Sequence, residues 1–205
     1  MIIIGITGSI GMGKSTIASM LKCFNIPIHD SDHEVKQMLE NSRLVIEKIK
    51  KEWPNVIDIK EGKEVVNKSN LGEIIFKNID CKIKLEKILH PLIHQKRDKF
   101  LQKYETKKLI IAIDVPLMYE TGLNKMCDYI FLALTSEENQ KKRVLRRSNM
   151  TEAKLLLVKK NQWSDKMKKS QNPYVINTSY GKLFTFFLVS YYLSTIFFKE
   201  KFIKI

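Results

Sequence analysis

The run Gly8-Ser9-Ile10-Gly11-Met12-Gly13-Lys14-Ser15 directly follows the apolar segment Ile2-Ile3-Ile4-Gly5-Ile6, and Thr16-Ile17-Ala18-Ser19-Met20-Leu21 comes after it. No other feature restricts the fold as much. The spacing is G-x-x-x-x-G-K-S between a buried strand and a helix, where glycines let successive backbone N–H groups curl around an anion with no Cβ in the way. Lys14 then reaches the β- and γ-phosphates of a nucleoside triphosphate. Ser15 offers its hydroxyl to Mg²⁺, and the positive end of the following helix faces the phosphates. A glycine-rich turn with a chance Gly-Lys-Ser is the plainer alternative, and the flanking strand and helix argue against it.

Four further runs are short, apolar and without polar alternation, the pattern of strands buried on both faces. They are residues 26–29 closed by Asp30, 109–113 by Asp114, 129–134 by Thr135, and 174–176 by Asn177. Helical segments separate them. This predicts an α/β fold with a five-stranded parallel sheet flanked by helices, right-handed crossovers, and functional residues at the C-terminal strand ends. The interval 33–108 is longer than one crossover needs and reads as a mostly helical, substrate-binding excursion. Breaks between its helices are expected at Trp53-Pro54-Asn55-Val56, at Glu61-Gly62-Lys63 and at His90-Pro91. A second excursion, 136–170, carries a basic helix over 140–147 and then Ser148-Asn149-Met150-Thr151, a turn and N-cap. At 205 residues the chain reads as one domain with insertions rather than two independent units.

With 36 Lys+Arg against 22 Asp+Glu, the formal charge of +14 suits acidic ligands. No run of five or six like charges occurs, so a solvated lysine-rich surface explains much of the excess. Cys23, Cys81 and Cys127 are isolated, which points to a reducing cytoplasm. Residues 2–6 are needed as a strand, so no secretion signal is expected there. Residues 183–198 carry no charge. They fall short of the ~20 that span a bilayer, and a packed C-terminal helix is the expectation, with a membrane partner not expected and weak membrane attachment as the alternative.

Phosphoryl transfer needs a base aimed at the attacking oxygen, together with cations that neutralise phosphate charge. Asp30 and Asp32 close the second strand, and one of them caps the following helix while the other is available as the base; spacing does not say which. Asp114 stands where such folds hold Mg²⁺ through water, and Glu120 lies just beyond, on the substrate side. Arg143, Arg146 and Arg147 share a helical stretch, with Arg143 beside both others, the arrangement either of a phosphate-gripping lid or of a solvated basic face. Asn124-Lys125-Met126-Cys127-Asp128 approaches a guanine-reading N-K-x-D, but its Asp is one residue late, so a turn before the next strand is expected. His90 and His94 are four apart without a third ligand, so they are not read as a metal site.

Taken together, the blocks Gly5 to Thr16, Asp30-Ser31-Asp32, Ile88-Leu89-His90-Pro91-Leu92-Ile93 and Asp114-Val115-Pro116-Leu117-Met118-Tyr119-Glu120-Thr121-Gly122-Leu123 closely resemble dephospho-coenzyme A kinases. The likeness runs from residue 1 to about 178, and the D-V-P-L-x-x-E-x-G-L run is its most particular part. The resemblance implies a P-loop kinase core with a helical substrate-binding excursion and a lid. It implies transfer of the γ-phosphate of ATP, with Mg²⁺, to the 3′-hydroxyl of dephospho-coenzyme A, the last step of coenzyme A synthesis. By the same resemblance, Gly8, Gly11, Met12, Gly13, Lys14, Ser15 and Thr16 hold ATP, Ser15 and Asp114 hold the metal, and Asp32 is the general base. Lys14, Arg143 and Arg147 join Asp32 in catalysis, while Asp30, Asp114, Glu120 and His90 face the substrate. The chain departs from the family at Ser148-Asn149, at Val158 and at Asp165, keeps Gln162, and ends in a less amphipathic segment. A nucleoside or nucleoside-monophosphate kinase, and a basic nucleic-acid-binding protein driven by the same loop, are the competing readings. Aromatics interleaved with a basic stripe are missing from the sequence, so nucleic acid is not expected as a partner, and a monomer is favoured.

Overall fold

The computed structural model describes residues 1–148 and 150–203; Asn149, one of the residues of the turn expected at 148–151, lies outside them. In chain order the elements are β1 (Ile2–Thr7), α1 (Lys14–Cys23), β2 (Ile28–Asp30), α2 (Ser31–Asn41), α3 (Arg43–Glu52), β3 (Ile57–Lys60), β4 (Lys63–Val66), α4 (Lys68–Lys77), α5 (Ile79–Tyr104), β5 (Ile110–Asp114), β6 (Tyr129–Leu134), α6 (Glu137–Leu145), α7 (Glu152–Lys160), α8 (Asp165–Lys169), β7 (Tyr174–Asn177) and α9 (Gly181–Ile203). They form two compact units, one of Met1–His29 with Glu105–Ile205, the other of Asp30–Tyr104.

The first unit is built on a five-stranded parallel sheet of order β2-β5-β1-β6-β7. Its central strand, β1, pairs with β5 from Ile2↔Ile110 to Ile6↔Asp114 and with β6 from Ile4↔Tyr129 to Thr7↔Leu132. Being covered on both faces, these strands can be continuously apolar, and Ile4, Ile6, Ile111, Ile113, Phe131 and Leu132 are fully buried. Ile17, Met20 and Leu21 of α1 and Val189, Leu193 and Ile196 of α9 belong to the same core. The strand order reverses around β1, and the loop carrying the glycines leaves its C-terminal end, where α/β sheets bind ligands. Strand β2 starts later than the apolar run suggests. Pro27 has no N–H to give to a ladder, although its carbonyl accepts from Ala112 N at 2.9 Å.

The helical unit has its own core, in which Met38, Leu39, Val45, Ile46, Ile49, Val56, Val66, Leu71 and Leu89 are buried together. Two expectations fail here. Glu61-Gly62 does not separate helices; it turns an antiparallel hairpin, β3 on β4, with Ile57 opposite Val66 and Lys60 opposite Lys63. Both turn residues have positive φ, 52° at Glu61 and 73° at Gly62, as a tight two-residue hairpin turn requires. Nor does His90-Pro91 end a helix, because Pro91 lies inside the 26-residue α5. Both residues face solvent, so the hydrogen bond that proline forfeits is lost on the wet side, while Leu85, Ile88, Leu89, Leu92 and Ile93 pack into the core and carry the helix through. The break at Pro54 is observed, as a 3₁₀ turn over Pro54–Val56.

Candidate active site

The loop between β1 and α1 is shaped by its glycines and held from behind by side chains distant in sequence. Gly13 caps α1 with φ 99° and ψ 22°. A Cβ there would come within 2.8 Å of Thr178 Oγ1, and one at Gly11, φ 78°, within 2.6 Å of Val144 Cγ2. Each loop carbonyl between these points is taken by the protein. Gln140 Nε2 donates to Ile10 O at 2.8 Å, Arg143 Nη1 to Gly11 O at 3.4 Å, and Thr178 Oγ1 to Met12 O at 2.8 Å. Ile10 N in turn donates to Gln162 Oε1 at 3.1 Å. With its acceptors committed to the fold, the loop has the polarity of an anion cradle, which presents amides to its ligand. No acidic side chain lies in the first turn of α1 to oppose its positive end.

Asp114 ends β5 beside Ile6 of β1, and its buried carboxylate accepts from Lys14 Nζ at 2.7 Å. Val115 N donates to Ile6 O at 3.1 Å, and Thr7 Oγ1 to Pro116 O at 3.1 Å, which fix the chain after Asp114 against the start of the loop. Glu120 is placed by the same segment. Its Oε1 accepts from Trp163 N at 2.6 Å and lies 3.7 Å from Lys168 Nζ. Tyr119 stacks on Trp163 with ring centroids 5.8 Å apart.

Lys168 was not singled out by sequence, yet it is a completely buried lysine beside the loop. Its ammonium donates to Ser9 Oγ at 3.2 Å, and Ser9 Oγ donates to Asp165 Oδ1 at 2.9 Å. Burial pulls the Lys168 pKa below its ordinary value; Glu120 and Asp165 oppose this, and the nearby charge of Lys14 adds to it. Among the described residues, Glu120 Oε2 and the Tyr119 hydroxyl are buried without a hydrogen-bond partner. Two lysines and three carboxylates therefore interlock around one face of the loop: Lys14 with Asp114, and Lys168 with Glu120 and, through Ser9, Asp165. The departure at Asp165 is not an empty position, since its carboxylate holds the Ser9 hydroxyl.

The arginine pair is divided. Arg143 lies within α6, and its guanidinium donates to Thr178 Oγ1 and Thr178 O, both at 2.8 Å, besides Gly11 O. The helix stops at Leu145, so Arg146 and Arg147 follow it in an exposed turn instead of lying on the same helical stretch. Leu123–Met126 forms the expected turn before β6. In the helical unit, Asp30 Oδ1 accepts from His33 N at 2.9 Å and caps α2, which leaves Asp32 in the helix's first turn, facing solvent. Spacing could not assign the cap; the hydrogen bond does. His90 is exposed on α5, its ring 6.1 Å from that of His94, and no cluster of three metal-ligating side chains occurs among the described residues.

Comparison with known proteins identifies the family. The profile of the dephospho-CoA kinase family matches residues 2–182. Dephospho-CoA kinase of Rhodopseudomonas palustris (strain HaA2) is 35% identical over 182 residues, 88% of this chain and 88% of its own length. That of Zymomonas mobilis is 34% identical over 176 residues, 86% of this chain and 87% of its own. Among solved structures, a Thermus thermophilus protein shares the fold with TM-score 0.80 at 24% identity, covering 95% of this chain and 96% of its own. Dephospho-CoA kinase from Campylobacter jejuni gives 0.67 at 22% identity, with the same coverage. A shikimate kinase from Acinetobacter baumannii gives 0.54 at 16%, covering 96% of this chain and 93% of its own. The family profile covers most of the chain and the relatives are of nearly equal length, so the chain belongs to the dephospho-CoA kinase family.

Proposed function

We propose that this chain transfers the γ-phosphate of ATP to the 3′-hydroxyl of dephospho-coenzyme A, with the loop residues Gly8 to Thr16 as the triphosphate site. One observation carries the reading. The sequence run most particular to the family is built into the phosphate site itself, Asp114 through Lys14 and Glu120 through Lys168 and Ser9.

Lys14 draws negative charge from the β- and γ-phosphates as it migrates to the bridging oxygen, and the positive end of α1 acts in the same direction. Asp32 accepts the proton of the ribose hydroxyl while that oxygen attacks the γ-phosphorus; ADP leaves with the electron pair of the broken bond. Asp30, engaged as the cap, holds the turn in which Asp32 stands. Arg147, exposed beyond α6, supplies a guanidinium for the migrating phosphoryl group, whereas Arg143 acts by shaping the loop. Glu120 and His90 are assigned to the substrate side. The hydroxyl of Ser15 and the buried carboxylate of Asp114 are hard oxygen donors at the phosphate site, the set that suits Mg²⁺ entering with a nucleotide and keeping most of its ligands from phosphate and water. Bound there, the ion would neutralise phosphate charge. Cys23, Cys81 and Cys127 form no disulfide among the described residues, which accords with a reducing cytoplasm.

The test is phosphotransfer by the purified protein with ATP·Mg²⁺ and a panel of acceptors. Turnover of nucleoside monophosphates with none of dephospho-coenzyme A would overturn the assignment. Asp32→Asn lowers turnover at least ~10²-fold with ATP binding nearly intact, the loss expected for a general base. Asp30→Asn keeps a side-chain oxygen for His33 N and costs little, because Asn caps helices as well as Asp. The reverse ranking would exchange their roles.

A further inference from the structure

We propose that the outer face of α9 docks the protein on an anionic lipid surface. The helix is apolar all round, but only one side is covered. Thr185, Val189, Leu193 and Ile196 are buried, Phe186 stacks on Phe24 with centroids 5.4 Å apart, and the Tyr192 hydroxyl donates to Val175 O at 3.1 Å. On the opposite side Tyr180, Phe184, Phe187, Tyr191 and Phe198 stand 47–69% exposed. At about 100° per residue they fall within an arc of about 60°, nearly opposite the buried row. The stripe therefore runs the length of the helix. Near its C-terminal end it meets a cleft of about 570 Å³ lined by Phe24, Leu109, Leu193 and Phe197, with Lys108 at the rim.

Composition and charge select the occupant. Aromatic rings on one face of a surface helix, flanked by lysines, are the pattern of a segment lying in the headgroup region of a bilayer. Lys201 lies about 70° round the helix from the stripe at its C-terminal end, Lys108 lines the cleft that the stripe meets, Lys22 lies on the neighbouring α1, and no Asp or Glu occurs between Gly181 and Lys199. The nearest acid on the helix, Glu200, is bonded to the Tyr129 hydroxyl at 2.9 Å. A second copy of the chain would bring another +14 against the first, whereas an anionic headgroup layer is complementary to it. Although 21 residues of α9 are long and apolar enough to cross a membrane, the row from Thr185 to Ile196 is part of the core, so the helix lies along the surface. The family match ends at residue 182, where α9 begins, and the catalytic groups lie elsewhere. Docking is thus separable from phosphoryl transfer.

Flotation of the full chain with phosphatidylcholine vesicles, and with vesicles containing phosphatidylglycerol, tests this. Binding is expected to the anionic vesicles, at least ~10-fold above the neutral ones and weakening as salt rises. The variant Phe184→Ser/Phe187→Ser/Tyr191→Ser loses that binding and keeps kinase turnover. Lys108→Glu/Lys201→Glu, which leaves the apolar surface intact, lowers it severalfold. Absence of binding to anionic vesicles, equal binding by the variants, or a concentration-dependent dimer dispersed by the aromatic substitutions would each overturn the proposal.

Discussion

In the phosphate loop, Ile10, Gly11 and Met12 each give their carbonyl to a side chain 130 to 166 positions away, and those donors are themselves buried or half-buried. In the helical unit, Lys50–Glu64, Lys68–Glu40 and Lys84–Glu52 are paired with 38–60% of each side chain in solvent. Both regions are crowded with polar contacts. The first set fixes atoms that must meet a ligand, in surroundings where an unmade bond cannot be replaced by water. The second set is screened and readily rehydrated, and contributes little to stability. Number of contacts says nothing of their weight; burial does.

Four variants probe that contrast. The largest effect is expected from Gly13→Ala, which places a Cβ within 2.8 Å of Thr178 Oγ1 on a backbone with φ 99°. The loop must shift, and displacement of about 1 Å near a reacting phosphate lowers turnover by roughly 10²-fold, measurable in steady-state assays. Thr178→Val keeps the shape but removes the hydroxyl that donates to Met12 O and accepts from Arg143 Nη1. Met12 O then loses this donor and Arg143 Nη1 keeps only its longer bond to Gly11 O, and urea unfolding should show a loss of about 2 kcal/mol. Tyr119→Phe has the opposite sign. It deletes a buried hydroxyl that has no partner among the described residues, and should stabilise by about 1 kcal/mol. Burial pushes this phenol up to about 12, whereas an unfolded tyrosine ionises near 10. The folded state therefore holds the proton longer, and that contribution is whole below about pH 10 and lost as pH rises through about 12. The Phe variant lacks this loss, so its advantage widens between unfolding curves at pH 8 and pH 12. The smallest effect belongs to Lys50→Ala/Glu64→Ala, with a coupling energy of at most about 1 kcal/mol in a double-mutant cycle. A larger value would erase the distinction between the two regions.

What the sequence makes legible follows the same division. The loop, its lysine and the strand-end aspartates could be read because a phosphate cradle is a local motif: glycines, Lys and Ser at fixed spacing between two strong periodic patterns. The β3–β4 hairpin was missed because its strands are four residues long and half polar, too short for alternation to outweigh a helical neighbourhood. Pro91 misled because the rule for residues before proline is local, whereas the packing that carries α5 past it is not. Lys168 gave no signal at all. It lies among Lys166 and Lys169, and nothing in a row of lysines says which is turned inward toward Ser9 and Glu120. Arg143 was found by spacing, but spacing yields a helix face and not a partner, so its engagement with Thr178 was invisible.

The position of β1 at the centre of the sheet also bears on how the molecule is assembled during synthesis. Strand β1 pairs with residues 110–114 and 129–132, and the loop that follows it takes its shape from Gln140, Arg143, Gln162 and Thr178. Contacts so distant in sequence form late, after the closure of the long segments between them. The core of Asp30–Tyr104, by contrast, draws only on its own residues and can close while the ribosome is still making the rest. A nascent chain released before residue 140 would carry every residue of the phosphate motif and lack the brace that gives the motif its form.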